Sequence, residues 1–135
     1  MKFLTNTVSP DKMRPSARRF VRSFGYAWEG IKAAVKGEQN IKIHLAVSCI
    51  VLLAAYVLEF SAERFSILLI VIGNVICLEI VNTALERLVD LVTNDYHPLA
   101  KQAKDMAAGA VLVFSVIAVI IGLLLFLKPA LHYFF

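Results

Sequence analysis

The chain has 135 residues, of which 59% are hydrophobic and 18% are charged, and its formal net charge is +4. About half of the residues of an ordinary soluble domain are apolar, so this composition excludes a typical soluble globular protein. It favours a small membrane protein of at most one domain.

The basic residues are concentrated near the amino terminus. Residues 1–44 contain nine Lys or Arg and three acids, whereas the connection 59–64 contains one basic and two acidic residues. Cytoplasmic loops of membrane proteins carry an excess of Lys and Arg. We therefore expect a multi-pass protein of the cell membrane, with the amino terminus and the connection after the second span in the cytoplasm and the carboxyl terminus outside.

The amino-terminal part predicts a tail and a surface helix. Residues 1–15 are polar and predict a disordered cytoplasmic tail, while 16–135 predict a single membrane domain. Within 16–36 apolar residues recur every three or four positions, as in an amphipathic helix. Its other face is rich in Arg and Lys, which suits the surface of an anionic cytoplasmic leaflet. The alternative is a helix of soluble type that packs on the membrane helices.

Three apolar stretches follow, and each predicts a transmembrane helix. A bilayer core of about 30 Å needs about 20 helical residues at about 1.5 Å per residue. The predicted spans are residues 41–59, 65–92 and 99–128. The break before the third lies in TNDYHPLA, where Asn94, Asp95 and Pro98 disfavour a helix. The predicted fold class is therefore all-α integral membrane, with an amino-terminal surface helix followed by three transmembrane helices.

The second span ends in polar residues at a helical spacing. Glu79, Asn82, Glu86 and Asp90 lie at offsets of 0, 3, 7 and 11, which places all four on one helix face. An acid at the centre of a membrane helix costs about 2.5–3.5 kcal/mol, so such residues face a bundle interior or a cavity and mark function by default. The alternative is that the membrane segment ends before Glu79 and that these residues begin a solvated helix. The apolar residues between them argue against it.

Further polar residues stand at span ends that the charge pattern places on the same cytoplasmic side. Glu38 and Asn40 precede the first span, and Lys104 and Asp105 precede the third apolar block. Carboxylates that converge with a lysine suit a metal–phosphate group, because Mg²⁺ prefers one or two carboxylates together with substrate phosphates and lysine is a point charge for phosphate oxygens. A carboxylate here can also accept a proton from a hydroxyl. The chain contains no G-x-x-x-x-G-K-S/T motif, which excludes a P-loop protein.

Two segments together resemble the signature of the prokaryotic diacylglycerol kinase family of small membrane lipid kinases. They are ExxNTALExxVD (79–90) and AKDMAAGAVL (103–112), and the likeness continues upstream through GYAWEGIKAAVKGEQN (25–40). It covers about 20–127, most of the chain. The resemblance implies a surface helix, three transmembrane helices, and a homotrimer with active sites shared between subunits.

The resemblance also implies an ATP- and Mg²⁺-dependent lipid kinase that transfers a phosphoryl group directly to a lipid alcohol. Glu79 would be the general base that acts on the lipid hydroxyl, and Glu38 and Glu86 would hold Mg²⁺. The residues implied for ATP binding are Arg19, Glu38, Asn82, Glu86, Asp90, Lys104 and Asp105. Those implied for lipid contact are Glu79, Trp28 and Asn40, although Trp28 is also typical of a membrane-interface anchor.

The resemblance implies one of two lipids, since one branch of the family phosphorylates diacylglycerol and another, mostly Gram-positive, phosphorylates undecaprenol. The segment GEQNIKIHL, with Asn40 and His44, resembles the undecaprenol branch, as does DYHPLAKQAKD. Undecaprenol is therefore the expected substrate and diacylglycerol the alternative. The product, undecaprenyl phosphate, would carry cell-wall precursors. His44 alone is more typical of a boundary histidine satisfied by a headgroup or the backbone.

A non-enzymatic alternative is an ion-conducting membrane subunit that uses Glu79 and Asp90 as an ion path. Conduction would need polar residues along the whole height of the bundle, but the third apolar block offers only Ser115 and the first only Ser48. The expected partners are a lipid alcohol, the membrane and further copies of the chain. We expect no nucleic-acid partner.

Overall fold

The computed structural model describes residues 17–93 and 95–134, and this part of the chain is helical. The four helices are α1 (Ala17–Gly37), α2 (Gln39–Val57), α3 (Ala62–Val92) and α4 (Pro98–Phe134). No strand occurs within the described residues, and the predicted all-α fold class is confirmed. The predicted tail at 1–15 lies outside them.

The chain divides into two compact units, residues 1–33 and 34–135. The described part of the first unit is α1 up to Ala33. Its aromatic side chains are exposed, and the rings of Phe20 and Phe24 meet edge to face with centroids 5.1 Å apart. Contact of this helix with a membrane surface stays a prediction.

In the second unit α2, α3 and α4 are each long and apolar enough to cross a membrane. The 31 residues of α3 extend about 46 Å at about 1.5 Å per residue, which exceeds the roughly 30 Å of a bilayer core. One end of α3 must therefore project beyond the apolar layer. Because α3 continues without a break through Glu79 to Val92, the polar residues of the predicted span lie on the membrane helix itself.

Local chemistry explains where these helices begin. The side chain of Ser61 accepts a hydrogen bond from the backbone N–H of Arg64 and so caps α3. α4 begins at Pro98. Proline is tolerated at the first helical position because a backbone N–H there would make no hydrogen bond within the helix. The N–H of Leu99 is satisfied by His97 Nδ1 at 3.2 Å.

α3 is the helix on which the other two pack, because it contacts both α2 and α4. The buried apolar side chains of this unit lie mainly along α2 and α3; they are Ala34, Ile41, Ala55, Leu68, Val71 and Val75. Ile41 is completely buried. Packing of α2 on α3 therefore fixes which side chains of α2 meet the polar face of α3.

Candidate active site

The polar face of α3 passes from buried to exposed along the helix. Glu79 and Asn82 are only 4% and 8% exposed, Glu86 is half-buried, and Asp90 is exposed. The spacing of three to four residues on one unbroken helix produces this order. The four residues form a polar stripe that runs from the packed interior to the open end of α3.

The buried carboxylate of Glu79 is paired with His44 of α2. Glu79 Oε1 lies 3.3 Å from His44 Nε2, and the two side chains are 5% and 27% exposed. A buried carboxylate is costly unless it has a partner, so this contact accounts for its position. No pattern in the sequence predicts this pair. His44 follows the fully buried Ile41 by three residues, and this spacing indicates that it faces the core but does not identify Glu79.

Asn82 and Glu86 are joined one helical turn further along. Asn82 Nδ2 donates to Glu86 Oε1 at 3.0 Å. The other amide atom, Oδ1 of Asn82, is buried and has no hydrogen-bond partner among the described residues. Such atoms are rare in native proteins and often mark a site for an ion, water or ligand. The amide oxygen is thus available to a ligand beside the Glu86 carboxylate.

Glu38 reaches the same turn of α3 from the start of α2. Its backbone is extended, and its side chain makes no capping hydrogen bond to the helix that it precedes. Instead Glu38 Oε1 lies 3.8 Å from Nη2 of Arg87, the neighbour of Glu86. A Cβ atom at Gly37 would meet the Arg87 guanidinium, but the end of this flexible side chain can shift at little cost.

Lys104 completes the open end of the stripe. Its Nζ lies 2.5 Å from Oδ1 of Asp90 and so connects α4 with α3. Asp105, by contrast, is paired along its own helix with Lys101 at 2.5 Å. Lys104 and Asp105, which are both predicted to bind ATP, thus have different ionic partners. Lys101 was not among the predicted site residues.

Three other predicted site residues are all exposed. Arg19 and Trp28 belong to the first unit, and Asn40 lies in the first turn of α2. Their proposed roles in binding ATP or lipid stay predictions.

The donor set fits a Mg²⁺ ion that is shared with phosphates. Glu38 and Glu86 offer carboxylate oxygens and Asn82 offers its unpaired amide oxygen, which are the hard ligands that Mg²⁺ prefers. In the part of the chain that the structure describes, no three His, Cys, Asp or Glu side chains are grouped closely enough to hold a metal. A cation bound here would therefore need further oxygen ligands from phosphate or water.

An apolar groove of about 610 Å³ is lined by residues of α2, α3 and α4. Among the described residues its lining includes His44, the partner of Glu79, but not Glu79 itself. The polar residues of this described lining are His44, Ser48 and Ser115, while Phe126 and Leu127 belong to the lining from α4. Because His44 also contacts Glu79, it borders both the groove and the polar stripe. The groove can accept a hydrocarbon chain, and the stripe can accept charged groups.

Comparison with known proteins identifies the family. The family model for prokaryotic diacylglycerol kinase matches residues 25–126. The undecaprenol kinase of Bacillus subtilis is 47% identical over 114 residues, which cover 84% of this chain and 93% of that protein. A diacylglycerol kinase of Synechocystis is 46% identical over 110 residues, covering 81% and 63%, and one of Escherichia coli is 35% identical over 103 residues, covering 76% and 84%. These matches confirm the family resemblance and the enzymatic interpretation. The chain belongs to the prokaryotic diacylglycerol kinase family and is a lipid kinase.

Proposed function

We propose that the chain phosphorylates undecaprenol to undecaprenyl phosphate, with ATP as the phosphoryl donor and Mg²⁺ as the metal. The observation that carries this proposal is the contact of the buried Glu79 carboxylate with His44, a residue that lines an apolar groove, beside a stripe of polar groups. The likeness to the undecaprenol kinase of Bacillus subtilis supports the choice of lipid.

In the proposed reaction Glu79 accepts the proton of the lipid hydroxyl while the hydroxyl oxygen attacks the γ-phosphorus of ATP. The bond between that phosphorus and the bridging oxygen breaks, and ADP leaves. Phosphoryl transfer of this kind needs mainly in-line positioning and neutralisation of charge. A carboxylate held at a hydroxyl therefore suffices, without a phosphorylated enzyme.

Glu38, Glu86 and the unpaired oxygen of Asn82 would hold Mg²⁺. When bound, the ion supplies positive charge that offsets the charge of the ATP phosphates. We assign Lys104 to the phosphate oxygens, since its ammonium group lies at the open end of the stripe. Asp90, Asp105 and Arg19 are proposed for the remainder of the nucleotide.

The lining of the groove favours an alcohol whose body is hydrocarbon. Apart from His44, Ser48 and Ser115, the described residues that line the groove offer only apolar side chains, whereas diacylglycerol would bring two ester groups that lose hydrogen bonds to water on burial. We propose Trp28 and Asn40 for contacts to the lipid. Diacylglycerol remains the second candidate, because other relatives of the chain are named diacylglycerol kinases.

We further propose that the site faces the cytoplasm, that α1 lies on the membrane surface, and that the enzyme is a homotrimer. The excess of Lys and Arg in residues 1–44 supports the orientation. Exposed Phe20, Phe24 and Trp28 support a surface role for α1. Wide exposed apolar faces on α2 and α4 leave room both for lipid and for neighbouring copies.

The test is a competition between the two lipids. Purified full-length protein in mixed micelles receives Mg²⁺, γ-labelled ATP and equal amounts of undecaprenol and diacylglycerol. We expect the label mainly in undecaprenol, and we expect Glu79→Gln to abolish it. Preferential labelling of diacylglycerol would establish the second candidate instead. Labelling of neither lipid would contradict the proposed reaction.

A further inference from the structure

We propose that His44 is a positioning residue for Glu79. Its Nε2–H holds Oε1 of the carboxylate, so that Oε2 faces the hydroxyl of a lipid arriving along the groove. The inference rests on the proposed function, and it adds a residue that the family signature in the sequence did not indicate.

His44 and Glu79 are close without a formed hydrogen bond between them. The separation of 3.3 Å between His44 Nε2 and Glu79 Oε1 is longer than the usual 2.7–3.2 Å of an N–H···O hydrogen bond. Catalytic hydrogen bonds are often long before substrate binds and tighten in the complex. The arrangement is therefore one that can close when the lipid hydroxyl enters.

Burial gives Glu79 few other means of orientation. Its side chain is 5% exposed, and His44 is its one ionic partner among the described residues. The nearby amide of Asn82 donates to Glu86 instead. The imidazole is thus the group that sets the direction of the Glu79 carboxylate.

The packing of α2 fixes the imidazole in turn. Ile41, one turn before His44, is completely buried, and Ser48, one turn after it, donates its hydroxyl to the His44 carbonyl at 2.7 Å. Because both neighbouring turns are held, the packing of α2 on α3 fixes the backbone position from which the His44 side chain reaches Glu79. A misplacement of about 1 Å in a reacting group can lower a rate by about 10²-fold.

His44 also borders the groove that is proposed to hold the lipid. It is 27% exposed on its side chain and belongs to the groove lining. Because His44 only donates a hydrogen bond in this role, it leaves the proton balance of the reaction unchanged. The hydroxyl proton goes to Glu79 Oε2, the phosphoryl group goes to the lipid oxygen, and ADP leaves.

Kinetics of full-length variants in micelles form the first part of the test. His44→Leu removes the donor, His44→Gln keeps an N–H donor, and Ser66→Ala is the control, since the exposed Ser66 hydroxyl bonds back to Ala62 of α3 and does not line the groove. We expect His44→Leu to lower kcat by about 10²-fold with the KM for ATP unchanged, His44→Gln to recover most of this loss, and Ser66→Ala to behave as the unchanged enzyme. Unchanged turnover in His44→Leu, or equal losses in the Leu and Gln variants, would overturn the inference.

The second part does not depend on turnover. The chain contains three histidines, so ¹⁵N spectra of the imidazoles can be assigned by loss of one signal in His44→Gln. We expect Glu79→Gln to shift the His44 Nε2 resonance and to leave that of His97 in place. An unshifted His44 signal would overturn the pairing. If the pairing is seen but the enzyme labels no lipid, the proposed function fails and the contact stands without its catalytic role.

Discussion

Lys104 Nζ lies 2.5 Å from Asp90 Oδ1, and this ion pair joins the carboxyl-terminal end of α3 to the first part of α4. The side chains are 36% and 57% exposed. Exposed ion pairs contribute only about 0–1 kcal/mol to stability. The pair therefore matters mainly because it holds an ammonium group at the open end of the polar stripe, where ATP phosphates are proposed to bind.

Removal of this ammonium group should weaken ATP binding more than folding. We expect Lys104→Ala to raise the KM for ATP about 10-fold or more, which corresponds to about 1.4 kcal/mol, and to change the unfolding free energy by less than about 1 kcal/mol. ATP titration of the kinase rate and thermal unfolding measure the two effects. Lys101→Ala is the control, since Lys101 also pairs with an aspartate but along its own helix. Equal KM values for both variants would contradict the assignment.

Asn82 should matter through both of its amide atoms. Asn82→Ala removes the hydrogen bond to Glu86 and the unpaired buried oxygen. Because a lost hydrogen bond costs about 1 kcal/mol while the loss of an unsatisfied atom offsets part of that cost, we expect little change in stability. We expect a marked rise in the Mg²⁺ concentration for half-maximal rate. Asn74→Ala is the control, because Asn74 is exposed and bonds back to Ile70 of its own helix. An equal rise in the half-maximal Mg²⁺ concentration for both variants would contradict a specific role of Asn82 in binding Mg²⁺.

Glu38 should act on Mg²⁺ rather than on the start of α2, since its side chain does not cap that helix. We expect Glu38→Gln to keep the fold and to raise the half-maximal Mg²⁺ concentration about 10-fold or more, because one of the carboxylates that Mg²⁺ prefers is lost. Glu63→Gln, at the opposite end of α3, should leave the Mg²⁺ dependence unchanged. The measurement is the initial kinase rate of each variant as a function of Mg²⁺ concentration at fixed ATP. A loss of helix content in Glu38→Gln, with normal Mg²⁺ dependence of the remaining activity, would favour a structural role.

Ile41 should be the most sensitive apolar position of α2. It is completely buried, whereas Ile50 of the same helix is 68% exposed. Truncation of a buried isoleucine to alanine costs about 2–5 kcal/mol, so Ile41→Ala should shorten the thermal inactivation half-life far more than Ile50→Ala. The measurement is residual kinase activity after heating in micelles. Similar half-lives would show that α2 does not pack through Ile41.

The helices could be predicted from the sequence because apolar stretches of about 20 residues have few alternatives in a membrane protein. The ends were harder to predict. α2 begins at Gln39, in a polar segment where hydrophobicity carries no information, and α4 continues beyond the predicted end at 128 to Phe134, with Pro129 inside it. The hydrophobicity of the sequence does not indicate how many residues a helix continues beyond the apolar layer of the membrane.

The polar stripe could be predicted because its spacing lies on a single helix. The partners across helices could not, because periodicity gives the face of a residue but not which residue of another helix it meets. His44 with Glu79, and Arg87 with Glu38, are contacts of this kind. Both follow from the way α2 packs on α3, which depends on the shapes of many apolar side chains rather than on any motif.

The most direct test concerns the buried carboxylate. Transfer of label from γ-labelled ATP to undecaprenol is measured at saturating ATP and Mg²⁺ for the unchanged enzyme and for Glu79→Gln, with ATP affinity measured on the same samples. If Glu79 takes the hydroxyl proton, the rate should fall by about 10²–10⁴-fold while ATP affinity stays the same. A variant that transfers phosphoryl groups at the normal rate, or one that fails only because it no longer binds ATP, would contradict this role for Glu79.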